Sequence, residues 1–389
     1  MSAVRRGFPL PLVLAGLLAC DGALRSGGAP EAGTRPASVP AAGAGADTGF
    51  AALVAALSEP GRYFDTDNLI SNESSYLHVL GDLEARGVEG GAYIGVGPDQ
   101  NFSYMAAVRP AMAFIVDIRR DNLLQHLWFR ALFEASSSRL DYLCLMLVRR
   151  CGGPSGSLSA AALVARVDRA EPATEPAAVM EAVLRRAAAY GVPLDASDRE
   201  TVRRIHGRFA AAGLDLRFNT HGRTPRSYYP TLRGLLLETD RSGRQASYLA
   251  DEGSYAFIRD MQAAGRVVPV VGDLGGPHAL RAIGSVVRRR GEAVSAFYVS
   301  NVEYYLFGDG NFDGFVRNLE GLPAEEESVL IRSVFRTPIP MPDALPGHAS
   351  TQVLHAIPAL LDAWERGRIR SYGDLLEAGL SASRPSTAG

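Results

Sequence analysis

Four short apolar runs, each ending on glycine or a polar side chain, constrain this chain more than anything else in it. They are Gly91-Ala92-Tyr93-Ile94-Gly95-Val96-Gly97, Ala113-Phe114-Ile115-Val116-Asp117, Val267-Val268-Pro269-Val270-Val271-Gly272-Asp273 and Val294-Ser295-Ala296-Phe297-Tyr298-Val299, the last followed by Ser300-Asn301. Runs this short suit strands, and their lack of polar alternation predicts burial on both sides. Pro269 counts against an interior strand in the third run, because it offers no N–H to a neighbour. Helical spacing falls between the runs, at 50–57, 76–83, 122–134, 254–264 and 277–290, with a further helix after Gly97. Buried strands alternating with helices predict an α/β fold with a mostly parallel sheet and helices on both faces.

In such a sheet the carboxyl ends of the strands come together and form the ligand crevice. They would bring the loop Gly95-Val96-Gly97-Pro98-Asp99-Gln100-Asn101 beside Asp117, Asp273 and Ser300-Asn301. Glycines let backbone approach a ligand closely, and the start of the following helix offers unpaired N–H groups. Asp117 follows the glycines by about twenty residues, the spacing at which an acid can accept from both hydroxyls of a ribose.

Between the second and third runs the alternation lapses. Residues 151–161 are rich in Gly and Ser, and amphipathic helices are predicted at 173–190 and 196–212. The chain therefore divides into a first part of the α/β domain at 50–150, a helical insertion at 151–225, and a second part with C-terminal helices at 226–389. No internal repeat is visible.

The net charge of −2 provides no global field for nucleic acid. All 40 basic residues are arginine, which rules out a lysine Schiff base and a P-loop lysine. Cys144 lies in an apolar run and reads as a small buried thiol, and Cys151 is too near in sequence to bridge it easily. No metal-ligand spacing appears.

Residues 1–19 read as an export signal, with Arg5 and Arg6 before the apolar stretch 10–19. Leu17-Leu18-Ala19-Cys20 resembles a bacterial lipobox, implying a lipid on Cys20 and a membrane-anchored lipoprotein. Arg5-Arg6-Gly7-Phe8 resembles part of a twin-arginine signal, with Val4 where Ser or Thr is usual. Residues 20–49, mostly Gly, Ala, Pro and Ser, have too little apolar surface to order themselves and read as a tether. Were the leader misread, the protein would be cytoplasmic.

The strand ends in their order resemble the class I S-adenosylmethionine-dependent methyltransferases, a Rossmann-like fold, over residues 63–307. That resemblance implies that Gly95 and Gly97 hold the methionine part of the cofactor, Asp117 its ribose and Asp273 its adenine amine. Asp99, Asn101 and Ser300 would complete the cofactor pocket, while Asn301 and Glu303 would orient the methyl acceptor. Two positions depart from the family: Tyr93 stands where an acid precedes the first glycine, and Asp99 replaces the third glycine. The Asp99 carboxylate could pair with a cofactor amine or sulfonium, or block the pocket. Nicotinamide binding fits less well, since Gln100 occupies the third glycine of GxGxxG. The stretches YFDTDNLISNE, GVGPDQNFSY and SNVEYYLF also resemble a family of uncharacterised bacterial proteins, some with lipoprotein leaders.

Other residues bear on the site. The 65–68 stretch reads equally as a lid or as a capped helix start. Tyr228 and Tyr229 could wall a substrate or pack in the core. His78 and His126 sit on helices and read as structural, leaving His278 as the one candidate base. Two functions are therefore in view. One is an S-adenosylmethionine-dependent methyltransferase-like protein acting on an unknown acceptor. The other is an anchored lipoprotein that binds a nucleoside-like or other small ligand without catalysis. A metal-assisted hydrolase lacks supporting spacing.

Overall fold

The computed structural model describes residues 46–382 except 152–154, 222, 223, 225 and 336. The signal, lipobox and most of the tether, Cys20 included, lie outside the described residues. The tether's expected end does fall within them, and there a helix spans Ala46–Leu57, starting before residue 50.

Six strands form one sheet: β1 (Ala92–Gly95), β2 (Met112–Asp117), β3 (Val267–Val271), β4 (Val294–Ser300), β5 (Val329–Phe335) and β6 (Ser350–Ala356). Their spatial order is β3-β2-β1-β4-β5-β6. The first five run parallel and β6 returns antiparallel to β5. The protein is thus α/β, with a mostly parallel sheet. Consecutive residues of β1, β3 and nearly all of β2 are buried. Since consecutive side chains point to opposite faces, the rest of the chain covers both sides of these strands. Pro269 is accommodated because β3 is an edge strand, with β2 as its sole neighbour.

Helix Arg120–Ala135 packs on β2 and β3, and helix Gln100–Val108 on β1 and β4. Helices Pro176–Ala188 and Ala196–Ala212 then pack on the outside of helix Arg120–Ala135. The second of them starts at a capping box, in which the Asp195 and Asp198 side chains each accept from the other's backbone N–H.

One expectation is overturned here. Cys144 and Cys151 are joined in a disulfide with Cα atoms 6.0 Å apart. Helix Arg139–Met146 ends between them, and the turn after it brings Cys151 back towards the helix. Short separation is no obstacle when the chain reverses, because what has to fit is the Cα separation and the convergence of the Cβ atoms.

Candidate functional site

A cavity of about 670 Å³ opens at the carboxyl ends of β1, β2, β3 and β4. Register explains why these ends coincide: Gly95 lies beside Ile115 of β2 and Tyr298 of β4, and Asp117 lies beside Val271 of β3. The segment 62–73 and residues 305–311 form the other walls. A volume of this order suits a small organic ligand.

The glycine loop follows directly from its residues. Gly97 has φ of +78°, a conformation that strains any side chain but glycine's. Gly95 is needed for a different reason: a Cβ there would overlap Asn101 Oδ1. The Asn101 side chain folds beneath the loop, accepting from Tyr93 Oη at 2.8 Å and donating to Val96 O at 2.9 Å and Pro98 O at 2.7 Å. His126 Nε2 donates to Gly97 O at 2.9 Å, and burial holds this imidazole down to about 4, so it is neutral at pH 7. Gln100 lines the cavity and donates to Tyr298 Oη at 3.2 Å, while its Oε1 is buried without a hydrogen-bond partner among the described residues.

Two acid–guanidinium pairs line the opposite wall. Asp117 accepts from Arg119 Nε at 3.0 Å and Nη2 at 2.7 Å, and Asp273 accepts from Arg62 Nη1 at 3.0 Å. Glu73 is organised differently. Its buried carboxylate accepts from Tyr298 Oη at 2.6 Å, from the hydroxyls of Ser300 and Ser333, and from Gln352 Nε2 at 3.2 Å. These four donors are neutral. With Asp309 also present, the lining carries four carboxylates (Glu73, Asp117, Asp273, Asp309) against two guanidiniums, Arg62 and Arg119. The crevice is therefore acidic. No trio of metal-ligating side chains lines it among the described residues.

Backbone strain is concentrated at the same place. Among the described residues, four other than glycine have left-handed φ, and two of them line the cavity: Asn68 at 48° and Ser300 at 53°. The β4–β5 register shifts between Tyr298 and Ser300, which turns the end of β4 into the crevice.

A family described as a domain of unknown function, DUF7790, matches residues 68–151 and 177–365, well over half of the chain. The chain belongs to the DUF7790 family. Residues 152–176 fall outside the match, whereas every strand of the DUF7790 sheet lies inside it. No curated protein matched the chain.

Of the residues singled out in this DUF7790 sequence, Gly97, Asp117, Asp273, Ser300 and Asn301 line the cavity. Gly95, Asp99, Asn101 and Glu303 do not. Gly95 and Asn101 shape the loop from below, as described. Asp99 turns into the interior to accept from Tyr248 Oη at 3.1 Å, so it neither meets a ligand nor blocks the pocket. Burial, partly offset by that hydroxyl, raises its carboxyl to about 6. Glu303 is fully buried in a two-toothed ion pair with Arg332, whose Nη2 lies 2.8 Å from Oε1. At the second position of helix Val302–Gly308 it pairs with Arg332 of β5 rather than reaching the mouth.

The other candidates also move. The 65–68 stretch is a wall: Thr66 and Asn68 line the cavity, and Arg119 Nη1 donates to the carbonyls of Thr66 and Asp67, both at 3.1 Å. His278 Nε2 bonds Ala56 O at 2.9 Å, on the outer side of helix Ala46–Leu57, and does not line the cavity. Tyr229 packs behind Phe218, which is itself on the wall. Glu73, Arg62 and Arg119 are not expected at the site from the sequence, and Gln100 is expected only as a member of the glycine loop. Glu73 had one signal in the sequence, its place at the end of the polar stretch that begins at Tyr63.

Proposed function

We propose that the chain binds a nucleoside-like small molecule bearing no net negative charge in the crevice of a Rossmann-like sheet, and that S-adenosylmethionine is the first ligand to test. The observation that carries this reading is the acid surplus of the crevice, in which Glu73 and Asp309 have no guanidinium opposite them among the described residues. Uncompensated carboxylates disfavour phosphate groups, whereas a nucleoside carrying an ammonium or sulfonium is attracted. The order β3-β2-β1-β4-β5 is that of doubly wound nucleotide-binding sheets, and the cavity spans the reversal point between β1 and β4. The family match omits 152–176 of the expected insertion but includes helix Ala196–Ala212 and all but the first residue of helix Pro176–Ala188.

The residues present fit such a ligand in three respects. Asp117 accepts three hydrogen bonds from Arg119, two of them on Oδ1, and Oδ2 keeps acceptor capacity for a ribose hydroxyl. Gln100, which also lines the cavity, adds a side-chain amide to the wall. Val116, Ile118 and Leu274 give a ring system an apolar wall. Binding without transfer is the reading the site supports best, since of the two acceptor-orienting candidates Glu303 is sequestered with Arg332 and Asn301 alone reaches the cavity. The Cys144–Cys151 disulfide favours an oxidising compartment, consistent with an exported, lipid-anchored protein.

Methyl transfer is the second reading, and the Ser300-Asn301 end of β4 at the mouth favours it. S-adenosylmethionine would supply the methyl group as a sulfonium. This chain's residues would position the acceptor and exclude water. Calorimetric titration with S-adenosylmethionine, S-adenosylhomocysteine and adenosine 5′-monophosphate separates these readings. The proposal expects the first two to bind more tightly than the phosphate. Equal or tighter binding of the monophosphate would overturn the charge argument, and no binding of any of them would overturn the nucleoside reading.

A further inference from the structure

A second constellation lies outside the crevice, assembled from three distant parts of the chain. His78 sits in the turn before helix Leu80–Ala85, Glu238 caps the end of helix Leu232–Leu237, and His348 lies two residues before β6. One ligand atom from each lies within 4.8 Å of the others. His78 Nε2 is 3.8 Å from Glu238 Oε1, and the two imidazole rings meet edge to face with centroids 4.5 Å apart.

We propose that His78, Glu238 and His348 form a binding site for a first-row divalent cation, with Zn²⁺ the preferred occupant.

The donor chemistry points that way. Two imidazoles and one carboxylate form a mixed nitrogen–oxygen set with a single negative charge, a common set for three-ligand zinc sites. Tetrahedral zinc with bonds of about 2.1 Å needs donor atoms roughly 3.4 Å apart. The separations, 3.8 Å between His78 and Glu238 and at most 4.8 Å overall, exceed this by up to about 1.4 Å, a closure within reach of side-chain rotation. Surrounding groups already orient the ligands. Ser74 Oγ lies 3.0 Å from His348 Nδ1, and Glu238 Oε1 accepts from Thr239 N at 2.9 Å. Such outer contacts set ring orientation in metal sites.

The site is also open on one side. His78 is buried, whereas Glu238 and His348 are part-exposed, so water can complete the coordination. As a plain ion pair, His78 and Glu238 would not need a second imidazole at 4.5 Å. Glu73 of the crevice and Ser74 are neighbours in sequence, and Ser75 Oγ bonds Ser350 Oγ at 2.7 Å. A cation here would brace the same segment that presents Glu73, whatever fills the crevice.

The test uses the full, untagged chain, stripped with chelator and titrated with Zn²⁺ by calorimetry, with Co²⁺ absorption as a second readout. The expected result is one high-affinity equivalent per chain and a higher melting temperature with metal. His348→Ala, at a part-exposed position, should weaken binding by more than about 100-fold, and Ser74→Ala by about 10-fold. Neither should alter the far-UV spectrum of the metal-free protein. Glu238→Gln provides a second ligand variant, with loss of binding expected although the residue's shape is kept. If the wild type takes up no metal, or if His348→Ala and Glu238→Gln bind it as tightly as the wild type, the proposal is overturned.

Discussion

Arg119 grips both carboxylate oxygens of Asp117, two residues before it, while its remaining nitrogen holds the carbonyls of Thr66 and Asp67. One guanidinium thus fixes the acid at the end of β2 and ties the 62–73 wall to it. Lysine cannot reproduce this, since it has no planar fork of donors. Arg119→Lys is expected to loosen the wall and weaken ligand binding. Asp117→Asn should weaken it by about 10- to 100-fold, in proportion to lost charge-assisted hydrogen bonds of roughly 1.5–3 kcal/mol. Calorimetry with S-adenosylmethionine checks both, and unchanged affinity in Asp117→Asn would remove this acid from the site.

The buried pair Glu303–Arg332 belongs to stability rather than chemistry. Glu303→Gln strands a guanidinium in the interior, at an expected cost of about 3–5 kcal/mol. Replacing both residues together, as in Glu303→Leu with Arg332→Met, should recover much of that loss. Urea denaturation measures the difference. A Glu303→Gln protein of normal stability that has lost ligand binding would return Glu303 to the list of site residues.

Asp99 makes a prediction about pH. Its carboxyl is raised from 3.8 to about 6 in the folded state, so between those values the native protein holds a proton that the unfolded chain releases. The contribution of this group to stability therefore falls as pH rises from about 4 to 6 and stays low above that. Asp99→Asn keeps an acceptor for Tyr248 and removes the charge. The variant should gain on the order of 2–3 kcal/mol at pH 7 over the wild type and much less, about 0.5 kcal/mol, at pH 4. Melting curves at the two pH values decide it, and a variant with equal gains at both would disprove the assignment.

For the disulfide, closing a short loop should be worth about 2 kcal/mol. Reduction, or the double change Cys144→Ser with Cys151→Ser, is expected to lower stability by that amount without unfolding the chain at 25 °C. Thiol titration of the unreduced protein should find neither cysteine reactive.

The strands around the crevice were readable because their interiors are wholly apolar and their ends are not. The return pair β5 and β6 escaped notice for the opposite reason. Arg332 and Ser333 interrupt β5, and Gln352 and His355 interrupt β6, yet all four are buried, with Arg332 answering Glu303 and with Ser333 and Gln352 answering Glu73. A polar residue inside the protein has the same letter as one outside, and only its distant partner tells them apart. Asp99 and Asn101 misled in the same way. Their position in the loop suggested contact with a ligand, but Asn101 turns back to Tyr93 beneath the loop and Asp99 turns to Tyr248, which is distant in sequence.

The left-handed backbone at Asn68 and Ser300 has a consequence for how this rim tolerates change. Glycine would sit there relaxed, while each side chain costs about 1–2 kcal/mol by comparison. Yet the Asn68 amide lies over Gly97 and the Ser300 hydroxyl bonds Glu73, so the tension is bound up with the architecture of the opening. Selecting variants for heat resistance alone would favour glycine at both positions, and the most robust protein obtained that way would be the one with the least defined doorway.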